Sequence, residues 1–222
     1  MAVKIAPSIV SADLSRLADQ VRHCEEAGAE YIHIDIMDGQ FVPRITIGEP
    51  IVEAIRKGTG LVLDIHLMVA DPEKQAPRYI EAGGDIINVH WEAATHIHRI
   101  VGDVRAQGRR VGVCINPGTH ENVLDQLLPE LDQVMVMAVN PGASGQAFIE
   151  SVLPKVERLR STIDANGYRA EIEIDGGVKA GNASRCAAAG ADVLVAASAI
   201  FNEQASIGEN IRGLRDAVAA LA

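Results

Sequence analysis

Apolar and polar residues alternate strictly along several short stretches of the chain. In residues 31–37, YIHIDIM, three isoleucines occupy one face, while His33, Asp35 and Met37 occupy the other. An alternation with a period of two is typical of a β-strand. Comparable runs predict eight strands, at residues 4–10, 31–37, 61–69, 86–92, 110–116, 133–139, 171–177 and 193–198.

The segments between the predicted strands have helical periodicity instead. The first places Leu14, Leu17, Val21 and Cys24 on one stripe. Several segments end, just before the next strand, in a glycine typical of a left-handed helix stop: Gly28, Gly83, Gly108, Gly167 and Gly190. Eight strands alternating with eight helices predict an α/β fold, a (β/α)8 TIM barrel that forms a single domain over residues 1–222.

An open, doubly wound sheet is the alternative architecture for this alternation. It is disfavoured because no GxGxxG motif opens the first strand–helix unit. In a parallel barrel both faces of each strand are buried, one against the helices and one inside the barrel. The polar residues of the alternating strands therefore point inward. Those near the strand ends lie where barrel enzymes build their active sites.

Inward-pointing residues near the ends of the second, third and seventh strands form the candidate site: His33, Asp35, His66 and Asp175. Two imidazoles and two carboxylates suit Zn²⁺, Fe²⁺ or Mn²⁺ as ligands. Burying two carboxylates without a cation would be costly. Asp64 lies further down its strand and is interpreted as structural, and His90 is interpreted as a structural residue or a support behind the site.

Small residues and methionines follow the later strands. Met37, Met68 and Met137 fall near strand ends on the inward face, where they form either ordinary core packing or a dry wall over a reactive intermediate. The loops in residues 140–148 and 175–178 are rich in small residues that let backbone N–H groups close on an anion. Loops after the last strands are where barrels commonly hold phosphate.

Charge and cysteine content narrow the classes of partner. The 222 residues contain 20 Lys and Arg against 30 Asp and Glu, a net charge of −10. An acidic chain without a basic cluster argues against binding nucleic acid or anionic membranes, although it permits a small anionic substrate. The three cysteines form no CxxC motif and no apolar run approaches the ~18 residues of a membrane helix, so we expect a cytoplasmic protein with reduced thiols.

The whole chain resembles the ribulose-phosphate 3-epimerase family. The matching stretches are IAPSIVSAD (5–13), HIDIMDGQFVP (33–43), DIHLMV (64–69), VNPGASGQAF (139–148) and IDGGVK (174–179). The resemblance implies a TIM-barrel isomerase that interconverts D-ribulose 5-phosphate and D-xylulose 5-phosphate in the pentose phosphate pathway or the Calvin cycle. It also implies a homo-oligomer, either a dimer or a hexamer.

The resemblance also implies a role for each site residue. One divalent metal ion (Zn, Fe(II), Mn or Co) would bind His33, Asp35, His66 and Asp175, of which the two aspartates would be the acid–base pair. Ser8 and His66 would contact the sugar, and the three methionines would shield an enediolate intermediate. The residues that would hold the phosphate end are Gly142, Ala143, Ser144, Gly145, Gly176, Gly177, Ala197 and Ser198.

Departures from the family pattern bear on substrate preference. The family loop PGFGGQ is PGASGQ here, with Ala143 and Ser144; Ala197 replaces a glycine, and Arg44 follows Val-Pro where the family has asparagine. One alternative is therefore a 3-epimerase of a six-carbon substrate such as D-allulose 6-phosphate. A related decarboxylase with a DxKxxD motif is disfavoured, because His66 stands in place of the lysine. A non-catalytic barrel that binds sugar phosphates is the remaining alternative, and the intact set of site residues argues against it.

Overall fold

Parallel strands close around a common interior in the computed structural model, which describes residues 3–220. The strands are β1 (Lys4–Pro7), β2 (Tyr31–Met37), β3 (Val62–Met68), β4 (Ile86–His90), β5 (Arg110–Ile115), β6 (Gln133–Met137), β7 (Glu171–Asp175) and β8 (Val193–Ala196). Each strand from β2 to β7 pairs with the next in the sequence, and β8 pairs with β1. The seam between β1 and β2 is joined by a parallel bridge between Ser8 and His33 and by the Glu30 N–H, which donates to the Ile5 carbonyl. The predicted barrel is confirmed over the open sheet.

The described helices are α1 (Leu17–Glu26), α2 (Glu49–Gly58), α3 (Pro72–Glu81), α4 (Ile97–Ala106), α5 (Leu153–Asn166), α6 (Ala180–Ala188) and α7 (Ile207–Ala219). The prediction of eight helices is wrong between β5 and β6, where the chain forms two 3₁₀ turns, Glu121–Leu124 and Leu128–Glu130. Leucines in this segment are buried at helical spacing, which explains the expectation. Pro129 supplies no backbone N–H, so a continuous α-helix here would lose a hydrogen bond.

The predicted glycine stops are confirmed: Gly28, Gly83, Gly108, Gly167 and Gly190 all have positive φ angles. Each reverses the chain between a helix or turn and the strand that follows. Across residues 3–220, no helix combines the length and the apolar character that a membrane crossing requires. The three cysteines are buried free thiols, as predicted.

Alternation gives each strand of the barrel two different buried faces. Ile32 and Ile34 point outward and are fully buried in the layer between strands and helices. Full burial of one such side chain contributes ~1.5–3 kcal/mol. The barrel interior is instead largely polar, with inward residues that are at most 6% exposed: Ser8, His33, Asp35, Asp64, His66, Asn88, His90, Gln133 and Glu173.

A polar cluster lies at the N-terminal end of the barrel, around the Tyr31 hydroxyl. That hydroxyl donates to Glu171 Oε2 at 2.7 Å and accepts from Lys4 Nζ at 3.0 Å and from Arg110 at 3.3 Å. Lys4 also pairs directly with Glu171. The main cavity lies at the opposite, C-terminal end, where the strand-end residues Asp35 and Asp175 reach it.

Candidate active site

Strands β2, β3 and β7 bring the four predicted metal-binding residues together. Asp35 and His66 are register partners across β2 and β3, and His66 Nδ1 lies 3.0 Å from Asp35 Oδ1. The same nitrogen lies 3.6 Å from Asp175 Oδ2, and His33 Nε2 lies 3.5 Å from Asp35 Oδ1. One ligand-type atom from each residue falls within 4.8 Å of all the others.

These residues fit a divalent cation. His33 Nε2 is buried and has no hydrogen-bond partner among the described residues, although it faces a carboxylate. Imidazole nitrogens and carboxylate oxygens are the ligand types that Zn²⁺, Fe²⁺ and Mn²⁺ accept. A cation among them would also balance the charge of the buried carboxylates, which is costly when unpaired.

Two adjoining groups of ligand-type atoms fit a cation less well. They are His33, Asp64 and Glu173, and His66, His90 and Cys114. Burial, together with the charge of Asp64, raises the pKa of Glu173 well above its usual value, so this carboxyl group retains its proton. Burial likewise raises the pKa of the Cys114 thiol. Metal ligands of these types bind in the deprotonated form. Asp175, with a pKa of about 7, can ionise near neutral pH, so His33, Asp35, His66 and Asp175 form the better candidate site.

The two aspartates of the site have opposite electrostatic environments. Burial raises the pKa of Asp175 to about 7, and the nearby charge of Asp35 acts in the same direction. Burial also tends to raise the pKa of Asp35, but the charge and hydrogen bonding of His33, with the hydrogen bond from His66, lower it below its usual value. One carboxyl group is thus ionised while its neighbour can carry a proton near neutral pH, which suits a base and an acid.

His33 is oriented by a polar network that lies beneath the site. Its Nδ1 atom is 2.6 Å from Asp64 Oδ2, and both side chains are fully buried. The Asn88 amide donates to Asp64 Oδ1 at 2.6 Å and to Gln133 Oε1 at 2.8 Å. Sequence reasoning treated Asp64 as structural; its contact with His33 gives it a place behind the site, which the alternation in β3 could have indicated.

His90 lies behind His66, on the side away from the carboxylates. The Nε2 atoms of the two rings are 2.9 Å apart, and His90 Nδ1 lies 3.3 Å from Glu92 Oε2. Burial lowers the pKa of His90 to about 4, which keeps this imidazole neutral. The position of His90 agrees with its interpretation as a support behind the site; Glu92 was not identified from the sequence.

A cavity of about 690 Å³ opens above the carboxylates. Ser8 lines it, and its hydroxyl donates to Asp35 Oδ2 at 2.6 Å. Met37, Met68 and Met137 line it as well, and all three are at most 4% exposed. His66 lies below the cavity floor and is fully buried, so in this structure it reaches the cavity only through Asp35 and Asp175.

All the residues predicted at the phosphate end line one side of this cavity: Gly142, Ala143, Ser144, Gly145, Gly176, Gly177, Ala197 and Ser198. Gly177, at φ +67°, lies so close to Phe148 that an added Cβ would be 2.9 Å from the Phe148 nitrogen. This approach brings the loop after β7 against the loop after β6, with the N-terminus of α6 directly following. Backbone N–H groups and a helix N-terminus of this kind attract anions.

Two cationic side chains also line this end of the cavity, and sequence reasoning did not single them out. Lys179 precedes α6, where its backbone N–H donates to Asn182 Oδ1 at 2.8 Å. Arg185 lies further along α6 and pairs with Glu150 at 2.9 Å. Their charge favours an anion at this end of an otherwise acidic chain. Arg44 lies elsewhere, exposed in the loop after β2.

Comparison with known proteins identifies the family. A family model described as "Ribulose-phosphate 3 epimerase family" matches residues 4–201. The chain belongs to the ribulose-phosphate 3-epimerase family. The resemblance read from the sequence motifs is therefore confirmed.

Relatives within the ribulose-phosphate 3-epimerase family match nearly the whole chain. The ribulose-phosphate 3-epimerase of Synechocystis sp. is 46% identical over 216 residues, covering 96% of this chain and 94% of that protein. That of Bacillus subtilis is 46% identical over 202 residues, covering 90% and 93%. The chloroplastic ribulose-5-phosphate-3-epimerase of Arabidopsis thaliana is 44% identical over 213 residues, covering 95% and 75%.

Solved structures outside the family support the barrel architecture alone. The crystal structure of 3-hexulose-6-phosphate synthase from Salmonella typhimurium superposes with a TM-score of 0.75 at 18% identity, covering 99% of this chain and 100% of that chain. A second structure with the same protein name gives a TM-score of 0.72 at 19% identity, covering 98% and 100%. Sequence identity at this level indicates a shared fold but not a shared reaction.

Proposed function

We propose that this epimerase interconverts D-ribulose 5-phosphate and D-xylulose 5-phosphate by moving protons at C3. The observation that carries the proposal is the pair Asp35 and Asp175, two cavity carboxyl groups on β2 and β7 whose pKa values are displaced in opposite directions. Epimerisation beside a ketone removes a proton from one face of C3 and returns a proton to the other. A carboxylate and a carboxylic acid on different strands supply both functions.

In one direction of reaction, ionised Asp35 accepts the C3 proton while protonated Asp175 donates to the opposite face. In the reverse direction the two exchange roles. Ser8, which donates to Asp35 Oδ2 at 2.6 Å, holds that carboxylate and can also reach the sugar. The three methionines form an apolar wall around the reacting carbons, which excludes water from an enediolate that would otherwise be protonated at random.

We propose that one divalent cation, Zn, Fe(II), Mn or Co, binds His33, Asp35, His66 and Asp175. His33 would bind it through Nε2 and His66 through Nδ1, since those atoms face the carboxylates. When bound, such a cation supplies positive charge next to substrate oxygens that become negative during the reaction. His66 is proposed to act on the sugar through this site, because its ring lies below the cavity floor.

The phosphate group is proposed to bind at the small-residue loops after β6, β7 and β8, between Gly142–Gly145, Gly176–Gly177 and Ala197–Ser198. Ala197 and Ser144 retain their backbone N–H groups, so the replacement of glycine removes no donor. Lys179 and Arg185 add positive charge on the same side. A phosphate here anchors the sugar so that C3 lies between the two carboxyl groups.

D-Allulose 6-phosphate is a second candidate substrate. Ala143, Ser144 and Ala197, where the family pattern has other residues, line the phosphate end of the cavity of about 690 Å³. The same acid–base pair would act on either sugar, so only the length of the pocket distinguishes them. A barrel that binds sugar phosphates without catalysis is less well supported, because the acid–base pair is intact.

Partners and location are likewise proposals. The net charge of −10 supports the absence of nucleic-acid and membrane binding, and the free thiols support a cytoplasmic location. Membership of the family supports a homo-oligomer, a dimer or a hexamer, formed by a single-domain chain of residues 1–222. Sedimentation equilibrium of the purified protein would distinguish these states.

The decisive experiment measures exchange at C3 in D₂O. Purified protein is given D-ribulose 5-phosphate or D-allulose 6-phosphate, before and after metal removal by a chelator, and NMR follows deuterium at C3 and the epimeric product. We expect exchange and product with the pentose, loss after chelation and recovery with a divalent ion. Faster turnover of the hexose would change the substrate and keep the mechanism. No exchange with either sugar in metal-loaded protein would contradict the proposed function.

A further inference from the structure

The two metal-ligand histidines turn different ring nitrogens toward the site. His33 faces the carboxylates with Nε2, whereas His66 faces them with Nδ1. A neutral imidazole carries one proton, so each ring must hold that proton on the nitrogen that points away from the site. Something behind each ring has to accept it, and for His33 this is Asp64, 2.6 Å from Nδ1.

Behind His66 the acceptor is another imidazole. If His66 Nδ1 binds a cation, Nε2 carries the proton and must donate it to His90 Nε2, 2.9 Å away. His90 Nε2 must then be unprotonated, which places the His90 proton on Nδ1. That proton points to Glu92 Oε2 at 3.3 Å, and a carboxylate can only accept.

Glu92 is itself held in place by donors from the next loop. Its Oε1 atom accepts from the backbone N–H of Asn116 at 2.8 Å and from the Thr119 hydroxyl. The Glu92 side chain is 22% exposed, while His90 and His66 are fully buried. A chain of donors thus runs in one direction only, from His66 through His90 to a partly exposed carboxylate at the edge of the barrel.

We propose that Glu92, acting through His90, is a positioning residue that holds His66 in the tautomer with a free Nδ1 for the metal. The inference rests on the proposed metal site. It adds to that site a supporting residue that is not itself a metal ligand. Partners of this kind behind a metal-bound histidine commonly govern metal affinity by about 10- to 100-fold.

The substitution Glu92→Gln tests the direction of this chain. A glutamine has one acceptor oxygen, and Asn116 and Thr119 compete for it, which turns the amide NH₂ group toward His90 Nδ1. His90 would then carry its proton on Nε2, facing the Nε2–H of His66. Two donors cannot share a 2.9 Å contact, so His66 would move its proton to Nδ1 and lose the metal-binding atom.

The substitution His90→Gln supplies the second arm of a double-mutant cycle. The glutamine oxygen can accept from His66 Nε2 whatever residue stands at position 92. We therefore expect Glu92→Gln to weaken Co²⁺ binding about 10- to 100-fold in the natural chain, but less than about threefold when His90→Gln is also present. The Co²⁺ absorption spectrum reports the ligand set independently of activity.

Glu130→Gln is the matched control, because Glu130 contacts exposed His98 at 3.2 Å and Arg105 at 3.4 Å and none of the site residues. Its Co²⁺ affinity and spectrum are expected to equal those of the natural chain. The proposal is overturned if Glu92→Gln leaves Co²⁺ affinity unchanged, or if its loss is the same in both backgrounds, which indicates a general structural effect. Failure of the natural chain to bind Co²⁺ at all would overturn the proposed metal site as well.

Discussion

The carboxylates of Asp35 and Asp175 approach the same atom, Nδ1 of His66, at 3.0 and 3.6 Å. They reach it from strands β2 and β7, which are not adjacent in the barrel. Their pKa values nevertheless move apart, because His33 and His66 stabilise the charge of Asp35 while burial beside that charge disfavours ionisation of Asp175. The barrel thus builds an acid and a base from the same residue type.

Removal of either carboxylate separates the two proton transfers. We expect Asp35→Asn and Asp175→Asn each to lower epimerisation by about 10²- to 10⁴-fold. Each variant should still exchange the C3 proton of the one epimer that the remaining carboxylate faces, and the two variants should act on opposite epimers. NMR in D₂O measures this, with metal content determined for each variant as the control. Exchange of both epimers by one variant would contradict the assignment.

Much of this site follows from strand alternation. A period of two puts His33 with Asp35, and Asp64 with His66, on inward faces, and parallel pairing then aligns Asp35 with His66. The sequence does not show the distances that distinguish the residues of the site from the residues that orient them. Asp64 and Asp35 have the same side chain and lie at successive inward levels, Asp64 beside His33 and Asp35 beside His66. The contact of Asp64 with His33 Nδ1 distinguishes their roles.

Metal binding should release protons. Burial tends to lower the pKa of His33, but Asp35 and Asp64 raise it well above 6.5, so the ring is protonated near neutral pH without a metal. A metal binds only the neutral imidazole, so the affinity should rise as pH increases, about tenfold per unit for one released proton. Calorimetry in two buffers of different protonation enthalpy counts the protons. Affinity that is constant between about pH 6 and pH 8 would contradict this charge state.

Lys179 should contribute to substrate binding and not to chemistry. It lines the phosphate end of the cavity and forms no ion pair with Asp35 or Asp175 among the described residues. We expect Lys179→Met to raise KM about tenfold, the loss of ~1.4 kcal/mol from a charge-assisted contact, with kcat unchanged. Lys57→Met, at the exposed C-terminal end of α2, is the control and should change neither constant. A fall in kcat alone would argue against a phosphate contact.

Two features of the structure depend on how side chains pack and could not be predicted from the sequence. Helical periodicity predicted a helix before β6, yet Pro129 disfavours a continuous helix and the chain forms two 3₁₀ turns. Glu92 lies just beyond the end of β4 in a segment read as strand, where alternation places it on the same face as Asn88 and His90 but does not indicate what it contacts. Its role depends on the contacts with His90 and Asn116, which the pairing of β4 with β5 brings together.

Because Gly112 has no side chain, it leaves room for the polar network behind the site. A substitution at this position should therefore affect both stability and metal binding. A Cβ atom at this position would lie 1.8 Å from Asn88 Oδ1. Asn88 cannot move away freely, because its amide donates to Asp64 at 2.6 Å. We expect Gly112→Ala to lower the free energy of unfolding by about 2–4 kcal/mol, through overpacking and a disturbed buried hydrogen bond.

The same substitution should weaken metal binding, since Asp64 orients His33. Gly102→Ala in α4 is the matched control. Apart from its chain neighbours and the backbone of its own helix, no atom lies within 4 Å of the added Cβ, and the change should stabilise the protein by up to about 1 kcal/mol. Urea denaturation and Co²⁺ titration measure the two effects. Adding Asn88→Ala to Gly112→Ala removes the obstructing oxygen, so the pair should lose less stability than the sum of the single substitutions. An additive loss would show that the clash with Asn88 is not the cause.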